Sequence, residues 1–203
     1  MDYKKVSIPF LDNSIIKNKA DNFRSKFGND SIPVDIEKII DIKLEIDIIP
    51  SPGLQYLCDT DALISSDWKS ILVDYNRFSD ERYQNRLRFS FAHEIGHFIL
   101  HKDIYKSFKI KSTKDFQKFE KEIPAKEYGY LEIQANKFAN YLLIPREQLI
   151  IEKNKEIKKY PELKHLINSG KTKEINSYIA IPISKIFGVS EDAMEIALNE
   201  IND

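Results

Sequence analysis

Phe89-Ser90-Phe91-Ala92-His93-Glu94-Ile95-Gly96-His97-Phe98-Ile99-Leu100 is the stretch whose reading decides the fold. It has the composition of a buried helix, yet it carries an H-E-x-x-H pentad. Residues four apart lie on one face of an α-helix, a little over one turn along. The imidazoles of His93 and His97 can therefore reach a single metal ion from one side. Glu94, about 100° round the helix from His93, points near that ion without having to ligate it. Two neutral histidine ligands beside a carboxylate able to take a proton from water is the arrangement of a zinc hydrolase. The chain has only four histidines, three of them between positions 93 and 101. Burying two histidines and a glutamate without a partner is costly, which argues against a purely structural role.

A tetrahedral catalytic site needs a third protein ligand and one open position. His101 is nearest in sequence, but eight helical residues span about 12 Å, too far for His93 and His101 to share one ion on a straight helix. Phe98, Ile99 and Leu100 supply no break. His101 reads instead as a helix-end residue or a polar group of the cleft. Glu132 is the better third ligand. The segment Tyr130 to Leu143 has helical periodicity, with Glu132, Ala135, Asn136, Ala139 and Leu143 on one face. Alanines beside a glutamate form a stripe small enough to pack closely on another helix and carry a carboxylate to a buried metal. Asn136, one turn from Glu132, is a candidate to orient a ligand or bind substrate backbone. Tyr128, Tyr130 and His101 are alternative donors for a developing oxyanion.

Arg88 to His97 followed by His101, then Glu132 to Ala139 and Leu142 to Pro145, resemble the core blocks of the ImmA/IrrE metallopeptidases. Pro33 to Ile39, and Ile186 to Ser190 with Ala193-Met194, resemble its flanks. The resemblance implies a zinc endopeptidase with one Zn2+ held by His93, His97 and Glu132, and Glu94 as catalytic base. It also implies regulatory proteolysis of a helix-turn-helix repressor encoded nearby, in a mobile element, phage-like region or stress response. Rival readings are a non-proteolytic zinc-binding regulator, or a toxin–antitoxin component, acting by docking a partner protein. The stretch between His101 and Glu132 is longer than usual in that family.

At 203 residues, 42% hydrophobic and 31% charged, the chain reads as a globular domain rather than a disordered one. We expect one domain over 1–203, with a catalytic core over 1–150 and a helical C-terminal part over 151–203. No stretch has signal-peptide or membrane-span character, and one cysteine, Cys58, fits a reducing compartment, so a cytoplasmic location is expected. A net charge of −1 gives no overall attraction to nucleic acid. The segment resembling a helix-turn-helix, Ile183 to Ser190 and beyond, would open its second helix with Glu191 and Asp192, so packing or partner docking is expected of it rather than DNA binding. From Lys102 to Lys126 lysines outnumber acids, which reads as a solvated, mobile excursion.

Helices are expected over Asn13 to Phe27 with Gly28 as cap, over Ile36 to Asp41 capped by Asp35, and from Ser79 into the pentad. Strands are expected at Leu44 to Ile48, Ala62 to Ile64 and Ser70 to Asp74. Together these predict an α+β, zincin-like plan, a small and mostly antiparallel sheet packed on the metal-binding helices. Ser70 to Asp74 is expected at the sheet edge, where an extended peptide could pair with it.

Overall fold

The computed structural model describes residues 3–28, 31–160 and 171–201. The architecture is α+β: a three-stranded sheet and a set of helices whose longest members cross beside it. Helix α1 (Asn13–Phe27) starts where the Asp12 side chain accepts from the Ser14 N–H at 2.9 Å, and ends where the Gly28 N–H donates to the Arg24 carbonyl. Its buried stripe is Ile16, Ala20 and Phe23, at helical spacing. Asp35 caps the following short helical turn by accepting from the Lys38 N–H.

Strands β1 (Asp47–Ser51), β2 (Ala62–Ile64) and β3 (Ser70–Asp74) form one sheet in the order β1-β3-β2. β1 runs parallel to β3 in the register Ile49 to Leu72, and β2 runs antiparallel to it with Leu63 opposite Leu72. The sheet is thus mixed. The first strand begins three residues later than the Leu44 start expected from sequence. β3 is central, not at the edge: both its sides are already hydrogen-bonded, so it cannot accept an incoming peptide. The strand with a side open toward the pentad helix is β2.

Helix α2 (Gln84–Leu100) carries the pentad and buries Leu87, Phe91, Ala92, Glu94, Ile95, Gly96 and His97. It packs on β2 and, more extensively, along α4 (described next). Between them, the chain from Lys102 onward forms short turns and then helix α3 (Thr113–Glu122), capped by Ser112. Helix α4 (Ala125–Leu143) begins five residues before the expected Tyr130. Where α2 and α4 cross, Gly96 faces Ala135. A Cβ on Gly96 would stand 3.0 Å from the Ala135 Cα and 3.1 Å from its carbonyl oxygen. The small-residue stripe read from sequence sits at this crossing.

Helix α5 (Arg146–Lys159) follows Pro145, and α6 (Thr172–Phe187) and α7 (Glu191–Glu200) close the described part of the chain. The Ser190 hydroxyl caps α7 by accepting from the Ala193 N–H. α7 is tied to α4 and to the start of α5: the Asn140 side chain donates to the Ala193 carbonyl at 2.9 Å, and Tyr141 of α4 and Arg146 of α5 both reach Glu200. α6 and α7 therefore serve packing in this fold. No helix among the described residues is long and apolar enough to cross a membrane.

The segment 102–126 is not a solvated excursion. Tyr105, Phe108, Ile110, Phe116, Phe119 and Ile123 are all buried, and the lysines between them point outward. Tyr3, in the N-terminal turn, stacks edge-on against Phe108 and Phe119. The apolar spacing at 105/108 and 116/119/123 is helical, and the density of lysine conceals it in a composition-based reading.

Candidate metal centre

Four side chains from two helices converge beside β2. His93 and His97, one turn apart on α2, place their Nε2 atoms 2.9 Å from each other. Glu132 arrives from α4, with Oε2 3.3 Å from His93 Nε2 and Oε1 3.5 Å from His97 Nε2. Ligand atoms at about 2.0–2.1 Å from a tetrahedral zinc ion stand about 3.3 Å apart. The three separations bracket that spacing, so the donor set fits a small, tetrahedrally held cation. Reaching this geometry depends on the Gly96–Ala135 crossing, because Ala135 is one turn beyond Glu132 on the same face.

Glu94 also puts a carboxylate oxygen close to both imidazoles, all three ligand atoms lying within 4.8 Å of one another. Geometry separates its role from that of Glu132. Glu94 Oε2 accepts the backbone N–H of Ile64 on β2 at 2.8 Å, which commits that oxygen to the sheet. Glu132 has both oxygens turned to the histidines.

The electrostatics follow from burial. Glu94, 4% exposed, has its pKa raised by desolvation, which His93, His97 and the Ile64 N–H only partly offset. Burial acts to lower His93, but the hydrogen bond to Glu132 and its charge outweigh burial and bring it to about 9. Burial would raise Glu132, yet the two imidazoles beside it hold it well below the usual carboxylate range. On the far side of the two imidazoles, His93 Nδ1 lies 2.8 Å from Asn136 Oδ1, and His97 Nδ1 lies 3.1 Å from His101 Nδ1. His101 ends the helix, as its sequence position suggests, and burial pulls it down to about 3. It faces the back of His97 rather than the space between His93, His97 and Glu132.

A cavity of about 170 Å³ opens on the four residues. Ala62 and Leu63 of β2 form one part of its wall, and Cys58, Phe116, Phe119 and Tyr128 another. Tyr105 stacks on His97 at 5.2 Å and donates to the Ile64 carbonyl. Of the tyrosines considered from sequence, Tyr128 lines this cleft, and burial and the nearby Glu132 raise its pKa. Tyr130 does not line it; the Lys126 ammonium sits over its ring instead. A larger, apolar groove of about 550 Å³ lies between α2, α4 and α7, and it holds none of the four converging side chains. The sequence reading missed Ile64, Tyr105 and Gln134 (a partner of His101 at 3.0 Å). The first two act through backbone contacts or stacking across the fold, which leave no local signal. Gln134 lies on the helix of Glu132, and its place at helical spacing from the apolar Leu131 and Phe138 is the signal that could have found it.

A family model described as the IrrE N-terminal-like domain, Peptidase M78, matches residues 77–199. The chain belongs to this peptidase family. The match contains α2 and α4, and with them His93, Glu94, His97 and Glu132, so a metallopeptidase-type function and a metal ion go together. The three strands, including Ile64, precede the matched residues. No curated protein matches the chain.

Proposed function

We propose that this peptidase is a zinc-dependent endopeptidase, with His93, His97 and Glu132 as ligands of one zinc ion and Glu94 as the general base. The observation that carries this reading is the convergence of His93 Nε2, His97 Nε2 and both Glu132 oxygens at tetrahedral ligand spacing. Zinc, when bound, supplies Lewis acidity, making a water more acidic and polarising the scissile carbonyl.

The chain's own residues do the rest. Glu94 is fixed through Oε2 on the Ile64 N–H, leaving Oε1 to take a proton from the attacking water and pass it to the leaving amine. Its burial-raised pKa suits both steps, since a base that must return its proton works best when it is not too weak. Asn136 accepts from His93 Nδ1–H, which orients that ring and leaves Nε2 free. Tyr128 keeps its phenolic proton because burial disfavours the phenolate, and we assign it the oxyanion hydrogen bond.

The substrate we propose is a helix-turn-helix repressor encoded beside this gene, on the strength of the family resemblance, with a cytoplasmic setting. Co-expression of that repressor with wild type or Glu94→Gln, read by mass spectrometry of fragments, tests both parts. Glu94→Gln keeps the shape and the contact to Ile64 and should bind zinc normally, with cleavage reduced by about 10²–10⁴-fold. Undiminished cleavage would refute the assigned base. A biological effect that persists without cleavage would favour a docking regulator.

A further inference from the structure

His97 can serve as a ligand through Nε2 only if its proton sits on Nδ1, and an imidazole side chain by itself can hold the proton on either nitrogen. We propose that the Pro9 carbonyl, Gln134 and His101 form a relay that fixes His97 in the metal-binding tautomer. The inference rests on His97 being a ligand.

The direction of every bond follows from the one group in the relay that cannot donate. The Pro9 carbonyl only accepts, and Gln134 Nε2 lies 2.9 Å from it. That fixes the amide, so Gln134 Oε1 is the atom 3.0 Å from His101 Nε2, and it too only accepts. His101 therefore carries its proton on Nε2. Its bare Nδ1, 3.1 Å from His97 Nδ1, must be the acceptor, and His97 must donate from Nδ1. The lone pair of His97 is thereby left on Nε2, facing His93 and Glu132. Were the relay reversed, an Nε2–H would point into the ligand space and block it.

Gln134, His101 and His97 are each no more than 3% exposed, so bulk water cannot replace a lost partner. His93 reaches the same tautomer through Asn136 in one step; His97 needs three, the last on a residue 125 positions from Gln134. That residue lies in the N-terminal segment, outside the stretch matched by the family. The segment is held to the start of α4 by the Ile8 N–H donating to Glu127. The N-terminal segment thus sets the protonation pattern of a ligand it does not touch.

The test uses the full chain, ¹⁵N-labelled at histidine and treated with a chelator, with long-range ¹H–¹⁵N spectra reporting which nitrogen of His97 is protonated. Zinc affinity is measured in parallel by competition with a chromophoric chelator. Wild type should show His97 protonated on Nδ1. Gln134→Met keeps the volume but removes both hydrogen bonds. It should expose a population of His97 protonated on Nε2 and weaken zinc binding by about 10–100-fold. His101→Phe should weaken it similarly, and the double variant no further, because both act through one chain of bonds. A packing role alone would lower the melting temperature and leave the tautomer unmoved, which would overturn the proposal. So would wild-type His97 protonated on Nε2, a result that needs no variant to fold. Full zinc retention by His97→Ala would instead sink the ligand assignment, whatever the tautomer.

Discussion

Replacing Gly96 with alanine probes the crossing on which the metal centre depends. The added Cβ would lie 3.0 Å from the Ala135 Cα, whereas ordinary contact begins near 3.4 Å, so the helices must separate by about 0.4 Å. The obstructing atoms are backbone and cannot rotate aside. Helix propensity favours alanine by about 1 kcal/mol, and forced overpacking costs about 1–3 kcal/mol, so the net effect is a destabilisation of about 0–2 kcal/mol. The metal should suffer more than the fold. Ligand bonds tolerate about 0.2 Å, and Glu132 rides on the displaced helix one turn from Ala135. Zinc affinity should fall by about 10-fold or more while the melting temperature moves by a few degrees. Gly129→Ala is the control: it lies on the same helix as Glu132, and its Cβ would meet nothing within 4 Å. It should be neutral or stabilising by up to about 1 kcal/mol, with unchanged zinc affinity. A Gly96→Ala protein more stable than wild type and equal in zinc affinity would show that this contact does not set the ligand spacing.

Elemental analysis of protein purified without added metal should give about one zinc per chain; His97→Ala and Glu132→Ala should lose it. In chelator-treated protein, burial lowers the His93 pKa but the Glu132 carboxylate should hold it up at about 9 against an ordinary 6.5. The stability from its pairing with Glu132 should be full below pH 6.5 and disappear as pH rises through 9. Glu132 is shifted down, so its share should be present above 4.5 and be lost on acidification. Melting curves across pH check this, and a Glu132→Gln variant with the same alkaline decline would contradict it. Gly188→Ala should cost about 2 kcal/mol in denaturant unfolding, because Gly188 sits at φ +62° and its Cβ would collide with the Arg88 guanidinium that donates to its own carbonyl.

What the sequence made legible was local. The histidines at 93 and 97 and the stripe through Glu132 and Ala135 follow from helical periodicity, and the structure brings those stripes face to face. Strand positions 62–64 and 70–74 were equally readable. Their order was not, because three short strands permit several pairings and nothing in Ser70 to Asp74 marks it as central. Pro9, Gln134 and His101 meet across more than a hundred positions of chain, and a carbonyl has no residue type to announce it. The 102–126 segment was misjudged because thirteen positions of charge or amide hide six apolar ones that are buried.

The bond between Glu94 and Ile64 bears on how a control variant should be chosen. A small sheet has two open borders, and unpaired strand backbone invites other chains to add on. Along β1 the border is interrupted by Pro50, which has no N–H to offer. Along β2, both backbone groups of Ile64 are already consumed, the N–H by Glu94 and the carbonyl by Tyr105. Ile64 is fully buried beneath the pentad helix, so a Glu94→Ala protein would lose its base and also leave the Ile64 N–H buried without a partner. Glu94→Gln keeps an acceptor for that N–H, so lost activity in this variant reports on the proton transfer rather than on a broken tie to the sheet.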